Sequence, residues 1–399
     1  MNKIKIIEAG NELGLGGTEY ALQLYSKYLN KEYFEVTVVA FREGGPRVTL
    51  IEELGIPVVV LNRDLKKLAE LLQQTDVFHW HGYGTLDAEF FAVVSANKPK
   101  LVIQTNVFGA YKPTPLYDII DYDLYISRMI LVRRMFYDQN LPNNFAFKRK
   151  VLPYPVDIHH IETISPRPEQ VQRFKEQHGL HNSFIVGRIG RADNAKFDLI
   201  TLDAFAKFAH KVNNARFLLV GSTPEIILHA KELKIFDQLL ILANTPDLQT
   251  LLIYYGSMDV FLAASDFGET FGMVIAEAMS AGIPVVTVST PKKDNAQIEL
   301  VDNGRTGLVV ERHIDKIVNA LYFLYVNEGY RMTLSVAARK KVNEAYNAEN
   351  IIASLEQLIF KHLNVPHTVG KRYLLEEYSQ EMVNDYIVRM SDLWVADEQ

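Results

Sequence analysis

Residues 259–288 read DVFLAASDFGETFGMVIAEAMSAGIPVVTV. DVFLAA is a short apolar run with the pattern of a buried strand. DFGET is a loop, and FGMVIAEAMSAG is a helix stopped by Gly282. IPVVTV is the next strand. Strand, helix and strand within about thirty residues make a crossover between parallel strands. Two carboxylates stand inside this unit, eight positions apart. Glu269 lies on the loop, and Glu277 lies two turns into the helix among Val274, Ile275, Ala276, Ala278 and Met279. An unpaired carboxylate is costly to bury, so Glu277 must face solvent, a partner or a ligand.

The same alternation runs outward in both directions. KIKII (3–7), EVTVVA (35–40), IPVVVL (56–61), DVFHW (76–80), KLVIQT (100–105) and DLYIS (123–127) read as strands, with amphipathic segments such as EYALQLYSKYL (19–29) and DLKKLAELLQQ (64–74) between them. After a proline-rich stretch, VLPYPVDIHHIETISPRPEQ (151–170), the pattern restarts with SFIVGRI (183–189), RFLLVG (216–221), QLLIL (238–242), DVFLAA, IPVVTV and TGLVV (306–310). The expectation is α/β, with two doubly wound, Rossmann-like domains over 1–160 and 161–369. A helical block without strands follows from about 313. Ligands of such sheets bind at the carboxyl ends of the strands, so two domains facing across a cleft can hold two substrates.

The chain has 399 residues, 48% hydrophobic and 23% charged, with a net charge of −6. That balance gives no global basic field for nucleic acid. No cysteine is present, which excludes disulfides and thiolate metal sites. The start, MNKIKIIEAG, has a strand pattern and no signal-peptide pattern. No window approaches the ~20 apolar residues of a membrane span. A cytoplasmic protein, or one peripheral at a membrane, is the expectation.

Three further motifs fall at predicted strand ends. AGNELGLGGTEYALQL (9–24) leads from the first strand into a helix starting near Thr18, and Gly14, Gly16 and Gly17 leave amides open to an anion. A flexible turn with a Thr18 cap is the plainer alternative. In DVFHWHGYGT (76–85), His79 and His81 share one face of a strand, and Phe78 and Trp80 share the other. Substrate contact, a hydrogen-bonded structural histidine or a metal would each suit the pair, but no third metal ligand is evident nearby. VGRIGRADNAKFD (186–198) places Arg188, Arg191 and Lys196 where phosphate oxygens could be met, unless it is a solvated charged loop. Of the two glutamates, one can grip a sugar and the other a ribose diol, with the amides of Gly272 and Met273 facing phosphate. Two surface glutamates are the bland alternative.

GETFGMVIAEAMSAGIPVV (268–286) resembles the E-x7-E signature of retaining glycosyltransferases with the GT-B fold, especially glycosyltransferase family 4. GLGGTE, VFHWHG, VGRIGRADNAKFD and NGRTGLVV resemble further motifs of that family, in register from residue 1 to about 360. The resemblance implies a hexose-type sugar moved from a nucleotide-diphosphate sugar, UDP by the family's habit. The acceptor would be a glycan, lipid-linked or peptide molecule. Anomeric configuration would be retained, through front-face attack, with no metal and no cofactor. Glu269, His81, Arg188 and Lys196 would be catalytic. Glu277, Gly272, Met273, Phe271, Thr270, Gly16, Gly17 and Arg191 would bind the donor. Gly14, His79 and Asn106 would face the acceptor. The last helix, within 370–399, would cross back to the first domain. The chain departs from the family at Tyr154-Pro155, where Asn-Gly is usual, in TNVFG (105–109), where Thr-x-His is common, and at Phe197, where glycine is usual. A sugar-nucleotide epimerase of the same fold, or a nucleotide-binding pseudoenzyme, is the alternative. The basic, aromatic segment 128–150 is a candidate for contact with an anionic membrane or glycan.

Overall fold

A computed structural model describes residues 2–112, 114–137 and 145–391. The chain divides into two compact units, residues 1–156 with 346–384 and residues 157–345 with 385–399.

In the first unit, β1 (Ile4–Gly10), β2 (Phe34–Ala40), β3 (Val58–Val60), β4 (Val77–Gly82), β5 (Leu101–Asn106), β6 (Tyr122–Tyr125) and β7 (Arg149–Val151) form one parallel sheet. In the second, β8 (Phe184–Ile189), β9 (Ala215–Val220), β10 (Leu239–Leu242), β11 (Val260–Ala263), β12 (Val285–Val288) and β13 (Gly307–Val310) form another. A two-residue β14 (Glu376–Glu377) joins the first sheet antiparallel to β7. The orders are β14-β7-β6-β5-β4-β1-β2-β3 and β10-β9-β8-β11-β12-β13. Chain direction across each sheet reverses beside its first strand, between β1 and β4 and between β8 and β11. Those reversals are where doubly wound sheets take ligands.

Both faces of the first sheet are covered, as the near-continuous apolar strands require. One face buries Ile4, Ile6, Val36 and Val38 under the helix Gly17–Tyr28, and the other buries Ile7, Ala9, Phe78 and Trp80 against Phe90 and Phe91. The second sheet packs Val186, Phe217, Leu262 and Val286 against helices carrying Phe205, Phe208, Leu321 and Leu324.

Every strand expected from sequence is present, with ends shifted by at most a few residues. Two further strands, β7 and β14, carry no apolar pattern. Domain assignment differs more at the C-terminal side. Residues 346–369, expected in the second domain, belong with the first unit, because the helix Ala348–His362 buries Ile351, Ile352, Leu355, Ile359 and Phe360 in that unit's core. Of the tail, residues up to 384 group with the first unit and 385–391 with the second. Residues 392–399 lie outside the described residues, as do 138–144 of the basic segment. Of that segment's described cations, Arg128 is held by Glu376 through two bonds of 2.5 and 2.7 Å, and Lys150 by Glu377 at 2.5 Å. Among the described residues, no helix is long and apolar enough to cross a membrane.

Candidate active site

The second unit brings the E-x7-E glutamates and the Arg-Lys loop to neighbouring strand ends, because β8 and β11 are paired. Arg188, one residue from the end of β8, is only 4% exposed. One Nη donates to the Lys196 carbonyl at 2.7 Å, while Nε is buried without a hydrogen-bond partner. Burial lowers the Arg188 pKa, and Glu269, Tyr255 and Asp198 oppose that shift. A guanidinium keeps its charge in such settings, so an unmet buried N–H there suits an anionic oxygen.

Lys196 Nζ lies 3.3 Å from Glu269 Oε2, with the lysine a third exposed and the glutamate less so. The loop carrying Lys196 is anchored by the two residues that follow it. Phe197 is buried in the core of the second unit. Asp198 accepts two bonds from Arg312, at 2.7 and 2.9 Å. Arg191 is different. Its side chain is 62% exposed and pairs with Asp193 at 3.4 Å, so it does not join Arg188 and Lys196 in this conformation.

The loop before the Glu277 helix is fixed by backbone geometry. Gly268 has φ +71°, and a Cβ there would meet the Asp294 carbonyl oxygen at 1.6 Å. Gly272, at φ +98° and ψ +60°, is the left-handed N-cap of the helix Met273–Ser280. Only glycine takes these conformations at low cost. Gln297 accepts from the Glu269 amide at 3.2 Å, and the Glu269 carbonyl accepts from Ala296 at 2.7 Å. Thr270, Phe271 and Met273 are buried beside this turn. Glu277 is 9% exposed, and its Oε2 accepts from the Tyr255 hydroxyl at 2.9 Å. The carboxylate therefore has a protein partner that its local sequence does not announce.

In the first unit, β1 and β4 are in register with Glu8 opposite His79 and Gly10 opposite His81. His79 and His81 share a face, as the strand alternation predicts, and that face also carries Glu8. All three are buried. Glu8 Oε2 lies 2.7 Å from His81 Nε2 and 2.9 Å from His79 Nδ1, while His79 Nε2 contacts Thr105 Oγ1 at 2.8 Å. The Tyr25 ring meets His79 edge-on and His81 at a tilt, with ring centroids 5.4 and 5.2 Å away. Burial pushes the histidines down, to about 3 for His79 and about 4 for His81, and pushes Glu8 up against the pull of His81. Both imidazoles are therefore neutral at pH 7. Glu8 supplies the third metal-ligating side chain that the sequence does not reveal. It sits some seventy positions from the histidines, so only strand register could have found it.

Gly14 lies in the loop between β1 and the helix Gly17–Tyr28, and Gly16 is that helix's N-cap with extended backbone and no side-chain cap bond. The cap is thus Gly16 rather than Thr18, whose hydroxyl instead meets Tyr154 OH at 3.3 Å. Asn106 closes β5 in full burial, donating to the Ala110 carbonyl at 3.1 Å, with its Oδ1 unpartnered.

Residues 170–341 match the family described as "Glycosyl transferases group 1". Among curated proteins, the chain is 26% identical over 216 residues to an alpha-monoglucosyldiacylglycerol synthase of Acholeplasma laidlawii, covering 52% of this chain and 51% of that one. It is 28% identical over 193 residues to an N-acetyl-alpha-D-glucosaminyl L-malate synthase of Bacillus anthracis, covering 47% and 48%. The chain thus spans about half the length of these relatives. Among solved structures, Anabaena HepE in complex with UDP and glucose superposes with TM-score 0.76 at 19% identity, covering 90% of this chain and 100% of that one. A glycosyltransferase from Rickettsia africae superposes with TM-score 0.76 at 17% identity, covering 92% and 100%. Residues 170–341 are thus similar to the group 1 glycosyltransferases, and the two sheets have the architecture of these solved structures.

Proposed function

We propose that this protein is a retaining glycosyltransferase. It moves a hexose-type sugar from a nucleotide-diphosphate sugar, UDP-linked by preference, to a glycan, lipid-linked or peptide acceptor without a metal. The observation that carries the reading is Arg188, a buried permanent cation with an unmet Nε donor, next to the Lys196–Glu269 pair at the β8/β11 switch point. Such a group is suited to a leaving diphosphate.

In this reading Glu277 accepts from the ribose hydroxyls, held in place by Tyr255. Glu269 accepts from hydroxyls of the transferred sugar. The bond from the anomeric carbon to the phosphate oxygen breaks, and its electron pair leaves with the diphosphate, whose charge Arg188 and Lys196 meet. The acceptor oxygen bonds to the same face of that carbon and passes its proton to the departing phosphate oxygen. The family resemblance assigns His81 to the transferred sugar and Gly14, Gly16 and Gly17 to substrate contact. The UDP bound to HepE supports the choice of base. The relatives' names span a diacylglycerol glycolipid, malate and a capsular polysaccharide, so they support no single acceptor. Peripheral membrane contact through 128–150 is part of the reading, with Arg128 and Lys150 engaged by Glu376 and Glu377.

The test is release of nucleoside diphosphate from UDP-, GDP- and ADP-sugars by the purified protein. Arg188→Ala and Glu277→Ala should each lower turnover by roughly a hundredfold or more while melting as cooperatively as the parent. EDTA should leave the rate unchanged. Full turnover in either variant, or a strict need for manganese, would sink the mechanism.

A further inference from the structure

We propose that Arg312 is a positioning residue that keeps the Asp198 carboxylate occupied, so that the charge of Arg188 and Lys196 stays available to a diphosphate. The inference deepens the proposed function and rests on its reading of Arg188. Asp198 stands two residues after Lys196, and its side chain is only 4% exposed. Burial lowers the Arg188 pKa, and Glu269, Tyr255 and Asp198 oppose that shift, so Asp198 is within electrostatic reach of the guanidinium. A carboxylate left uncompensated there would cancel part of the positive potential that a phosphate needs. Arg312 prevents this with a two-pronged contact. Its Nε donates to Asp198 Oδ2 at 2.7 Å and one Nη donates to Oδ1 at 2.9 Å, while the Ile200 amide donates to Oδ1 at 3.1 Å.

Packing within the second unit brings the pair together. Asp198 and Arg312 each stand two residues before a helix, Ile200–Ala209 and Ile314–Val326, and those helices lie against each other. The same Arg312 Nη lies 3.7 Å from Asp266 Oδ1, on the loop that carries Glu269, and Lys293 holds that oxygen at 2.9 Å. Three acids at these strand ends, Asp193, Asp198 and Asp266, thus each have a cation other than Arg188 or Lys196. Arg188 keeps its unmet Nε, and Lys196 keeps only the looser 3.3 Å contact with Glu269. A clasp that merely tied the two helix ends together would use the same bonds. Charge and attachment must therefore be separated.

Titration calorimetry with UDP, GDP and ADP finds the nucleotide that the parent binds tightest, and the variants are compared on it. Arg312→Met leaves Asp198 uncompensated and should weaken binding about tenfold or more. Arg312→Gln keeps a donor for Asp198 without the charge, which guards against loss of the fold, and should weaken binding in the same direction. Asp198→Asn/Arg312→Met removes both charges and the attachment with them, yet should return the affinity to within about threefold of the parent. Arg312→Lys keeps the charge without the paired bonds and should also stay within about threefold. The proposal is overturned if Arg312→Met and Arg312→Gln bind as the parent does. It is equally overturned if the loss persists in Asp198→Asn/Arg312→Met, which is the result for a mechanical clasp. Arg188→Ala is measured alongside. Parental affinity in Arg188→Ala removes the reading of Arg188 and this inference with it, whereas weakened binding there beside an unaffected Arg312→Met removes the inference alone.

Discussion

Glu277 is conspicuous in the sequence because a carboxylate interrupts an apolar helix, and that anomaly alone marks the position. Its partner could not be located the same way. Tyr255 belongs to another helix, Leu248–Gly256, and reaches Glu277 only because β11 returns the chain between them. Removing that hydroxyl leaves a nearly buried carboxylate short of one donor, a loss of roughly 1–3 kcal/mol. Tyr255→Phe should therefore raise KM for UDP-glucose about fivefold to a hundredfold, with a smaller change in kcat. Unchanged KM in steady-state assays would show that Tyr255 does not hold Glu277 for the ribose. Arg191 marks the opposite limit of sequence reading. Its spacing from Arg188 is suggestive, but side-chain direction on a loop is set by neighbours, and here Asp193 takes it.

Elements were legible where burial imposes a pattern. The interior apolar strands are covered on both faces and read as apolar runs, whereas the edge strand β14 and its neighbour β7 are short pieces of Glu-Glu and Arg-Lys-Val. Their pairing rests on backbone bonds and on Arg128–Glu376 and Lys150–Glu377, which no hydropathy pattern encodes. Charged residues on an edge also discourage pairing with another chain. The helix Ala348–His362 was legible as a helix but not as part of the first unit, since its apolar stripe does not say which core it covers. Leu355, fully buried on that stripe, tests the assignment. Leu355→Ala should cost about 2–5 kcal/mol, seen as a lower melting temperature, with protection from amide exchange lost first in the first sheet. Loss confined to the second sheet would contradict the assignment.

At the level of the molecule, the first unit is assembled from two separated stretches, and the second is nearly continuous. A chain ending at Tyr346 should keep the second unit protease-resistant while residues 1–156 are cleaved rapidly, because their core has lost Ile351, Ile352, Leu355 and Ile359. Equal resistance of both stretches in limited proteolysis would refute this. The two α/β units were visible in the sequence as a pattern that restarts. The return of the chain was not, because it depends on long-range packing. That return has a consequence during synthesis. Residues 1–156 are synthesised before the helix Ala348–His362 that completes their core, so the unit born second is the one equipped to fold earlier. Until then the nascent first half leaves part of that sheet face uncovered beside the helix Gly17–Tyr28, and its yield should be unusually sensitive to chaperone supply and to pauses in translation before codon 346.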